Sequence, residues 1–176
     1  MIRRINNLIK KSTLIIKDDG ALRFAKRAAK YAYYKKFPDR KNKEYKDILF
    51  INGCTLPHPE RYRVAHQIEQ LISQGLTADS VFYDRLSLDQ LKYYRGFVFF
   101  RCPITDTVRN FIKQANYFNK TCFFDIDDLV IDQKYTDSIE YVQKMSDEDK
   151  RLYNDGVNRM RETLTLCSHA ITTTTQ

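Results

Sequence analysis

A polar loop that directly follows an apolar run is the first candidate for chemistry in this chain. Residues 47–51 form a largely apolar run, and Asn52 and Gly53 come directly after it. A glycine lets the backbone approach a bound molecule closely, and the free N–H groups at the start of a following helix attract phosphate. Arg61 and Arg63 add guanidinium groups, which form charge-assisted hydrogen bonds with anions. The loop therefore predicts an anion site, although a surface loop with two solvated arginines would have the same composition.

An acidic cluster that follows another apolar run is the second candidate. Residues 121–124 are rich in phenylalanine, and Asp125, Asp127 and Asp128 come directly after them. Three carboxylates this close repel one another unless a cation, protons or hydrogen bonds compensate them. The concentration of charge favours a ligand-facing role for at least one of the three. The alternative for Asp125 is structural, because an aspartate also caps loops by accepting hydrogen bonds from backbone N–H groups.

Several other kinds of site are disfavoured by composition. The four cysteines lie far apart, none forms a Cys-x-x-Cys pair, and there are three histidines, so a zinc finger or a disulfide framework has no support. We predict free buried thiols in a reducing cytoplasm, and no metal site. No glycine-rich dinucleotide or Walker-type phosphate loop is present. The apolar runs are too short to span a bilayer, and the amino terminus lacks the pattern of a signal peptide.

The elements that must position these residues alternate between strands and helices. A helix is predicted over 64–72, after a loop containing two prolines, and Gly75 is expected to end it. Ser87, Thr105 and Ser146 are predicted to cap three further helices, with Asp149 completing a variant of the capping box at Ser146. We predict strands at 47–53, 80–83, 96–101, 121–125 and 170–173.

This alternation predicts an α/β fold, a Rossmann-like parallel sheet of about five strands with helices on both faces. In such sheets, ligands bind beyond the carboxyl ends of the strands. Both candidate stretches follow the carboxyl end of a predicted strand. We therefore expect them to face the same crevice.

The net charge of +8 is divided unevenly along the chain. Residues 1–46 hold 15 Lys/Arg against 4 Asp/Glu, whereas residues 47–176 hold 15 Lys/Arg against 18 Asp/Glu. Pro38 and neighbouring polar residues interrupt any helix between these parts. This asymmetry predicts two domains: a basic, helical appendage over 1–46 and a Rossmann-like domain over 47–176.

The basic appendage is typical of segments that bind an anionic surface. Apolar and alanine residues alternate with Lys/Arg over residues 22–36, as in helices that lie in the headgroup region of a membrane. Nucleic acid would be attracted by the same charge, but the body shows no basic and aromatic platform, so no nucleic-acid partner is predicted. A solvated basic helix without a partner is the remaining alternative.

The body resembles the amino-terminal, acceptor-side domain of GT-B type bacterial glycosyltransferases, in the retaining group that uses nucleotide sugars. The resemblance covers roughly residues 47–176. It rests on the first strand at 47–51, the Arg-Tyr-Arg-x-x-x-Gln stretch that begins at Arg61, the Asp-x-Asp-Asp-Leu run at 125–129, and the strand that ends in threonines at 171–173.

The resemblance implies transfer of a sugar from a nucleotide-sugar donor to a cell-surface polysaccharide or lipid-linked acceptor. Asn52 and Gly53 would approach the donor diphosphate, and Asp127 or Asp128 would face the reacting sugar. Arg61, Arg63 and Asp125 are further candidates for substrate binding. No cofactor is implied beyond the donor, which is a substrate.

The family's second, donor-binding domain lies outside these 176 residues. We therefore expect this chain alone to be inactive and to work with a missing carboxyl-terminal domain. The implied location is cytoplasmic and peripheral, at the inner face of the membrane, which residues 1–46 would contact.

Three alternatives come from other classes of protein. Residues 124–128 resemble the nucleophile motif of haloacid-dehalogenase-type phosphatases, in which the first aspartate attacks phosphorus and the second is the general acid. That family usually places the motif on its first strand, whereas four strands' worth of chain precede it here. A response-regulator receiver is also similar in topology, but its acidic pair ends the first strand. The other alternative is a non-catalytic module that binds an acceptor or a partner domain.

Overall fold

A computed structural model describes residues 44–128 and 130–173, together with Ala25 and Ala29. The chain divides into two units, Met1–Lys41 and Asn42–Gln176. Ala25 and Ala29 are helical and exposed. The rest of the predicted basic appendage, up to residue 43, lies outside the described residues. None of the described helices is both long enough and apolar enough to cross a bilayer.

Five parallel strands form one sheet in the order β2-β1-β3-β4-β5. The predicted α/β, Rossmann-like fold is thus confirmed. The strand order reverses between β1 and β3, because β2 lies on one side of β1 and β3 to β5 lie on the other. In such sheets ligands bind at the carboxyl ends of the strands, at this reversal of the strand order. The strands are β1 (Lys46–Asn52), β2 (Ala78–Phe82), β3 (Tyr94–Phe100), β4 (Thr121–Asp125) and β5 (His169–Ile171).

Helices cover both faces of the sheet because right-handed crossovers place them on opposite sides of the reversal. Helix α1 runs through a first turn (Pro57–Glu60), a wider π-helical turn (Arg61–Ala65) and a regular segment (His66–Ser73). It packs on one face. The other face carries two short 3₁₀ segments, Tyr83–Arg85 and Leu88–Lys92, followed by α2 (Asp106–Tyr117), α3 (Gln133–Thr136), α4 (Glu140–Gln143) and α5 (Asp147–Leu166).

Two apolar clusters hold these layers together, one on each side of the sheet. Phe50, Val98 and Phe100 lie beneath Val64 of α1. The larger cluster on the opposite face packs α2 and α5 against the sheet through Leu49, Ile51, Phe97, Phe99, Phe111, Ile112 and Phe124. Burial of this many large side chains supplies the main favourable free energy of folding and keeps the strand ends in place.

The predicted capping residues begin their helices as expected. The hydroxyl oxygens of Thr105 and Ser146 accept hydrogen bonds from the backbone N–H groups of Val108 and Asp149, at 3.1 and 3.2 Å. Gly75 has φ +79°, the left-handed conformation that ends many helices. These contacts are local in sequence, which is why the residue pattern predicts them.

Several predicted boundaries differ from the structure by one or two residues at strand ends, and by more at the start of α1. The prolines at 57 and 59 belong to the first turn of α1 and not to a loop, because proline is tolerated where helical N–H groups have no partner. Strand β2 begins two residues before the predicted start at Ser80, since its backbone pairs with β1 from Ala78 onward. Strand β5 ends at Ile171, before the predicted threonines.

Candidate functional site

The loops after β1 and β3 touch one another at the carboxyl edge of the sheet. The Gly53 N–H donates to the carbonyl of Phe100 at 2.8 Å. A Cβ at position 53 would lie 2.3 Å from the carbonyl oxygen of Arg101 and 2.5 Å from the Cα of Cys102. Real Cβ atoms do not approach backbone this closely, so the glycine is required by contact with the chain's own backbone. The predicted approach of Gly53 to a ligand stays a prediction.

The side chain of Asn52 forms a hydrogen bond inside the loop after β1. Its side chain is buried, and its Oδ1 accepts a hydrogen bond from the Cys54 N–H at 2.8 Å. This is the local turn that asparagine often forms with backbone two residues ahead. Asn52 therefore holds the loop in the shape that brings Gly53 against the loop after β3.

The two candidate arginines of α1 point to different places. Arg61 pairs with Glu69 on the exposed side of the helix, with Nη1 and Oε1 2.6 Å apart. Arg63 turns inward and donates to Oδ1 of Asp125 at the end of β4. Two residues along a helix correspond to about 200° of rotation, so both arginines cannot face the sheet. The structure places Arg63 at the candidate site and Arg61 outside it.

Asp125 is fully buried and incompletely hydrogen-bonded. Its side chain has no exposed surface, and within the described chain its Oδ2 has no hydrogen-bond partner. The Nε of Arg63 is likewise buried, with no hydrogen-bond partner among the described residues. Burial raises the pKa of Asp125, Arg63 opposes that rise, and the nearby charge of Asp127 adds to it. A buried polar atom without a partner is rare and often marks a place where a water molecule or ligand belongs.

The other two carboxylates of the cluster are held by a second arginine. Arg101, which follows β3, donates from Nε to Asp127 and from Nη2 to Asp128. Although burial disfavours its charge, the hydrogen bond that it donates to Asp127 and the charges of both aspartates raise the pKa of Arg101. Its guanidinium carbon also lies 5.9 Å from the ring centre of Phe100. The repulsion within the acidic cluster is therefore relieved by two arginine cations, Arg63 and Arg101.

Arg101 adopts a backbone conformation that residues with a side chain seldom use. Its φ is +42°, in the left-handed region. Such residues cost about 1–3 kcal/mol each and collect at binding sites and active sites. Two contacts help to hold this conformation: the Arg101 N–H donates to the Asp125 carbonyl at 3.0 Å, and the Arg101 backbone packs against Gly53.

The loop after β4 is tied to β5 as well as to Arg101. The Ile126 N–H donates to the carbonyl of Ile171, and the Thr173 hydroxyl donates to the carbonyl of Asp127, both at 3.0 Å. These contacts fix the backbone on either side of the acidic cluster. They leave the carboxylate of Asp128 63% exposed at the edge of the sheet, whereas that of Asp127 is largely covered.

Two residues of α5 border this site. Arg159 donates from Nε and Nη2 to the carbonyl of Ile104, at 3.1 and 2.8 Å, which anchors α5 to the loop after β3. Tyr153 lies near Arg101 and Asp128: burial raises its pKa, Arg101 opposes the rise, and Asp128 adds to it. Sequence reasoning missed Arg101, Tyr153 and Arg159. Arg101 could have been found, because it ends a predicted strand.

The described residues do not form a recognisable metal centre. Among residues 44–128 and 130–173, no group of three or more histidine, cysteine, aspartate and glutamate side chains is arranged to hold a metal ion. Cys54, Cys102, Cys122 and Cys167 are free thiols, as predicted. Burial raises the pKa of Cys122 to about 12, so this thiol stays protonated at neutral pH.

Comparison of the chain with protein-family models, with curated proteins and with solved structures finds no match. The geometry of the carboxyl edge is therefore the ground on which a function can be proposed.

Proposed function

We propose that this chain is the acceptor-side domain of a glycosyltransferase that moves a sugar from a nucleotide-sugar donor to a surface-polysaccharide or lipid-linked acceptor. The observation that carries the proposal is the pair of arginine–carboxylate contacts at the carboxyl ends of β3 and β4. Arg101 holds Asp127 and Asp128 at the edge where ligands of such sheets bind. Carboxylates held in one position by a cation suit the recognition of sugar hydroxyls, which are neutral hydrogen-bond donors.

The three aspartates would have different roles in this proposal. Asp128 is the most exposed and would accept hydrogen bonds from acceptor hydroxyls. Asp127 is largely covered and would keep Arg101 in place. Asp125 is buried against Arg63 and would position α1 over the sheet. Fixing the acceptor across the cleft from a donor domain supplies the proximity and orientation that such a transfer needs.

The same geometry is unfavourable for the phosphatase alternative. In that alternative Asp125 would be the nucleophile, yet it has no exposed surface and one of its carboxylate oxygens binds Arg63. A nucleophile needs an oxygen that reaches the phosphorus atom. We therefore expect the chain to hydrolyse no phosphate ester and to bind no divalent metal tightly. Magnesium-dependent hydrolysis of p-nitrophenyl phosphate that disappears in Asp125→Asn would overturn the glycosyltransferase proposal.

Transfer itself is tested in a protein that joins this chain to a donor-binding domain, the natural one where the reading frame continues into such a domain. We expect Asp128→Asn to lower kcat/KM for transfer about 10²-fold, because a neutral amide orients the acceptor hydroxyl less well. The matched control is Asp137→Asn, since Asp137 is also an exposed aspartate paired with a cation, 3.4 Å from Lys150. Equal activity of both variants would remove Asp128 from the site. A natural reading frame without a donor domain would instead favour the non-catalytic binding module.

A further inference from the structure

The amino edge of the sheet, opposite the acidic cluster, displays three exposed aromatic side chains beside the half-buried Tyr93. Tyr45 precedes β1 and is 83% exposed, and its ring centre lies 6.0 Å from that of Tyr93, which precedes β3. Tyr117 and Phe118 end α2 just before β4, with ring centres 5.2 Å apart, and Tyr117 is 81% exposed. We call Tyr45, Tyr93, Tyr117 and Phe118 the amino-edge aromatics.

The amino-edge aromatics precede neighbouring strands of the sheet. In the sheet register, Lys46 pairs with Tyr94, and Gly96 of β3 pairs with Thr121 of β4. Lys120, two residues after Phe118, donates from its ammonium to the carbonyls of Leu91 and of Tyr94, the latter at 2.6 Å, and so links the chain segments that carry the two pairs of rings. Neighbouring strands lie about 4.8 Å apart, so the rings follow one edge and do not scatter over the surface.

Three aspartates at this edge are matched by cations. Asp47 pairs with Arg95, Asp79 with Lys46, and Asp89 with Lys92. These aspartates therefore add little repulsion toward an anionic partner. The chain enters β1 at this edge directly after residues 1–43, which hold 14 Lys/Arg and 3 Asp/Glu.

We propose that the amino-edge aromatics form a docking surface for an anionic lipid bilayer. Tyrosine and phenylalanine place an apolar ring among the acyl chains, and tyrosine keeps its hydroxyl in the hydrated headgroups, which is why such rings collect at membrane interfaces. The basic residues that precede β1 supply attraction to anionic headgroups. Charge brings the protein to the surface, and the rings determine which side of the sheet faces it.

This orientation has one consequence that rests on the proposed function. Strand β1 has seven residues, so the two edges of the sheet are about 20 Å apart at 3.3 Å per residue. With the amino edge on the membrane, the acidic cluster faces away from it. An acceptor would then be a glycan long enough to extend from its lipid past the domain, and not a single sugar on a lipid.

The absence of tryptophan from the sequence permits a direct test. Tyr117→Trp introduces one reporter at the amino edge, and Tyr141→Trp is the matched control, because Tyr141 of α4 is a 73% exposed tyrosine on the segment that follows the carboxyl end of β4. With the full chain and vesicles of phosphatidylcholine and phosphatidylglycerol, we expect the emission at 117 to shift to the blue and that at 141 to stay unchanged. Phosphatidylcholine vesicles alone should produce no shift at either position.

Co-sedimentation with the same vesicles measures how much the exposed rings contribute to membrane affinity. Tyr117→Ser with Phe118→Ser should weaken binding about tenfold, the change expected when about 60 Å² of apolar surface no longer enters the bilayer. Tyr135→Ser with Tyr141→Ser should leave binding unchanged. A blue shift at both reporters, equal losses in both double variants, or equal binding to neutral vesicles would overturn the proposal. So would a protein dimer abolished by the Tyr117 and Phe118 substitutions, because the surface would then join two copies of the chain. None of these measurements depends on sugar transfer.

Discussion

The two edges of the sheet differ in how completely their aspartates are hydrogen-bonded. At the amino edge, Asp47 accepts hydrogen bonds from the N–H and hydroxyl of Thr77, both at 2.9 Å, and from Arg95 at 3.2 Å. At the carboxyl edge, Asp125 is completely buried and one of its oxygens has no hydrogen-bond partner among the described residues. The carboxylate of Asp47 is fully hydrogen-bonded by its neighbours. The carboxylate of Asp125 is buried with one oxygen unpaired among the described residues, which costs free energy of folding.

This difference in hydrogen bonding marks the environment of Asp47 as stabilising and that of Asp125 as a candidate site. Hydrogen bonds from Thr77, followed by Arg95, lower the pKa of Asp47, while burial raises the pKa of Asp125. Buried groups with perturbed pKa values and incomplete hydrogen bonding collect at functional sites. The carboxyl edge has these features together with the left-handed backbone of Arg101.

The largest effect is expected from breaking the buried pair at the carboxyl edge. Arg63→Met should lower the free energy of unfolding by about 3–5 kcal/mol at neutral pH, because it leaves Asp125 buried without its cation. Arg61→Met is the matched control, and it should change that free energy by less than about 0.5 kcal/mol, since the Arg61–Glu69 pair is exposed. Urea unfolding of both variants measures the contrast. Similar losses in the two variants would contradict the assignment of Arg63 as the inward arginine.

A smaller loss is expected where the loops after β1 and β3 touch. Gly53→Ala should cost about 1–3 kcal/mol, because the added methyl group meets the backbone of Arg101 and Cys102. Gly156→Ala provides the comparison: it lies inside α5 with open space around it, so alanine should stabilise the protein by about 0.5–1 kcal/mol. Thermal unfolding should move the two melting temperatures in opposite directions. A neutral Gly53→Ala would mean that the two loops separate easily.

The pH dependence of stability should differ in sign between the edges. Asp125 has a raised pKa in the folded state, so its contribution is present below the unfolded pKa, near 4, and is lost as pH rises through the folded value. Asp47 has a lowered pKa, so its contribution is present above about pH 4 and is lost as pH falls through the folded value.

Unfolding by urea at a series of pH values compares each Asn variant with the natural chain. The advantage of the natural chain over Asp125→Asn should shrink as pH rises above about 4, and its advantage over Asp47→Asn should shrink as pH falls below about 4. If the two differences in unfolding free energy changed with pH in the same direction, burial would not be the main influence on the pKa of Asp125.

The smallest effect on stability is expected at the exposed end of the acidic cluster. Asp128→Asn should change the free energy of unfolding by less than about 1 kcal/mol, because its pair with Arg101 is open to solvent on the aspartate side. Circular dichroism and urea unfolding should therefore report an intact fold for this variant. A loss as large as that of Arg63→Met would identify Asp128 as a structural residue and remove it from the proposed acceptor site.

Elements of the fold that depend on neighbouring residues could be predicted from the sequence. The strand at 121–125 was predicted with its exact bounds, because its apolar residues are consecutive and it ends at a charged cluster. The caps at Thr105 and Ser146 depend on contacts three residues ahead. The start of α1 was predicted incorrectly, since prolines are compatible with both a loop and the first turn of a helix.

The sequence by itself determined the alternating strands and helices, the carboxyl-edge location of the acidic cluster and the uneven distribution of charge. Only the tertiary structure decided which cation compensates each carboxylate. Arg63 and Asp125 are 62 residues apart, and Arg101 and Asp127 are 26 apart. No local pattern distinguishes Arg61 from Arg63, because the choice depends on which side of α1 faces the sheet. That orientation is set by the burial of Val64 against Phe50 and Phe100, which becomes defined only when the strands have paired.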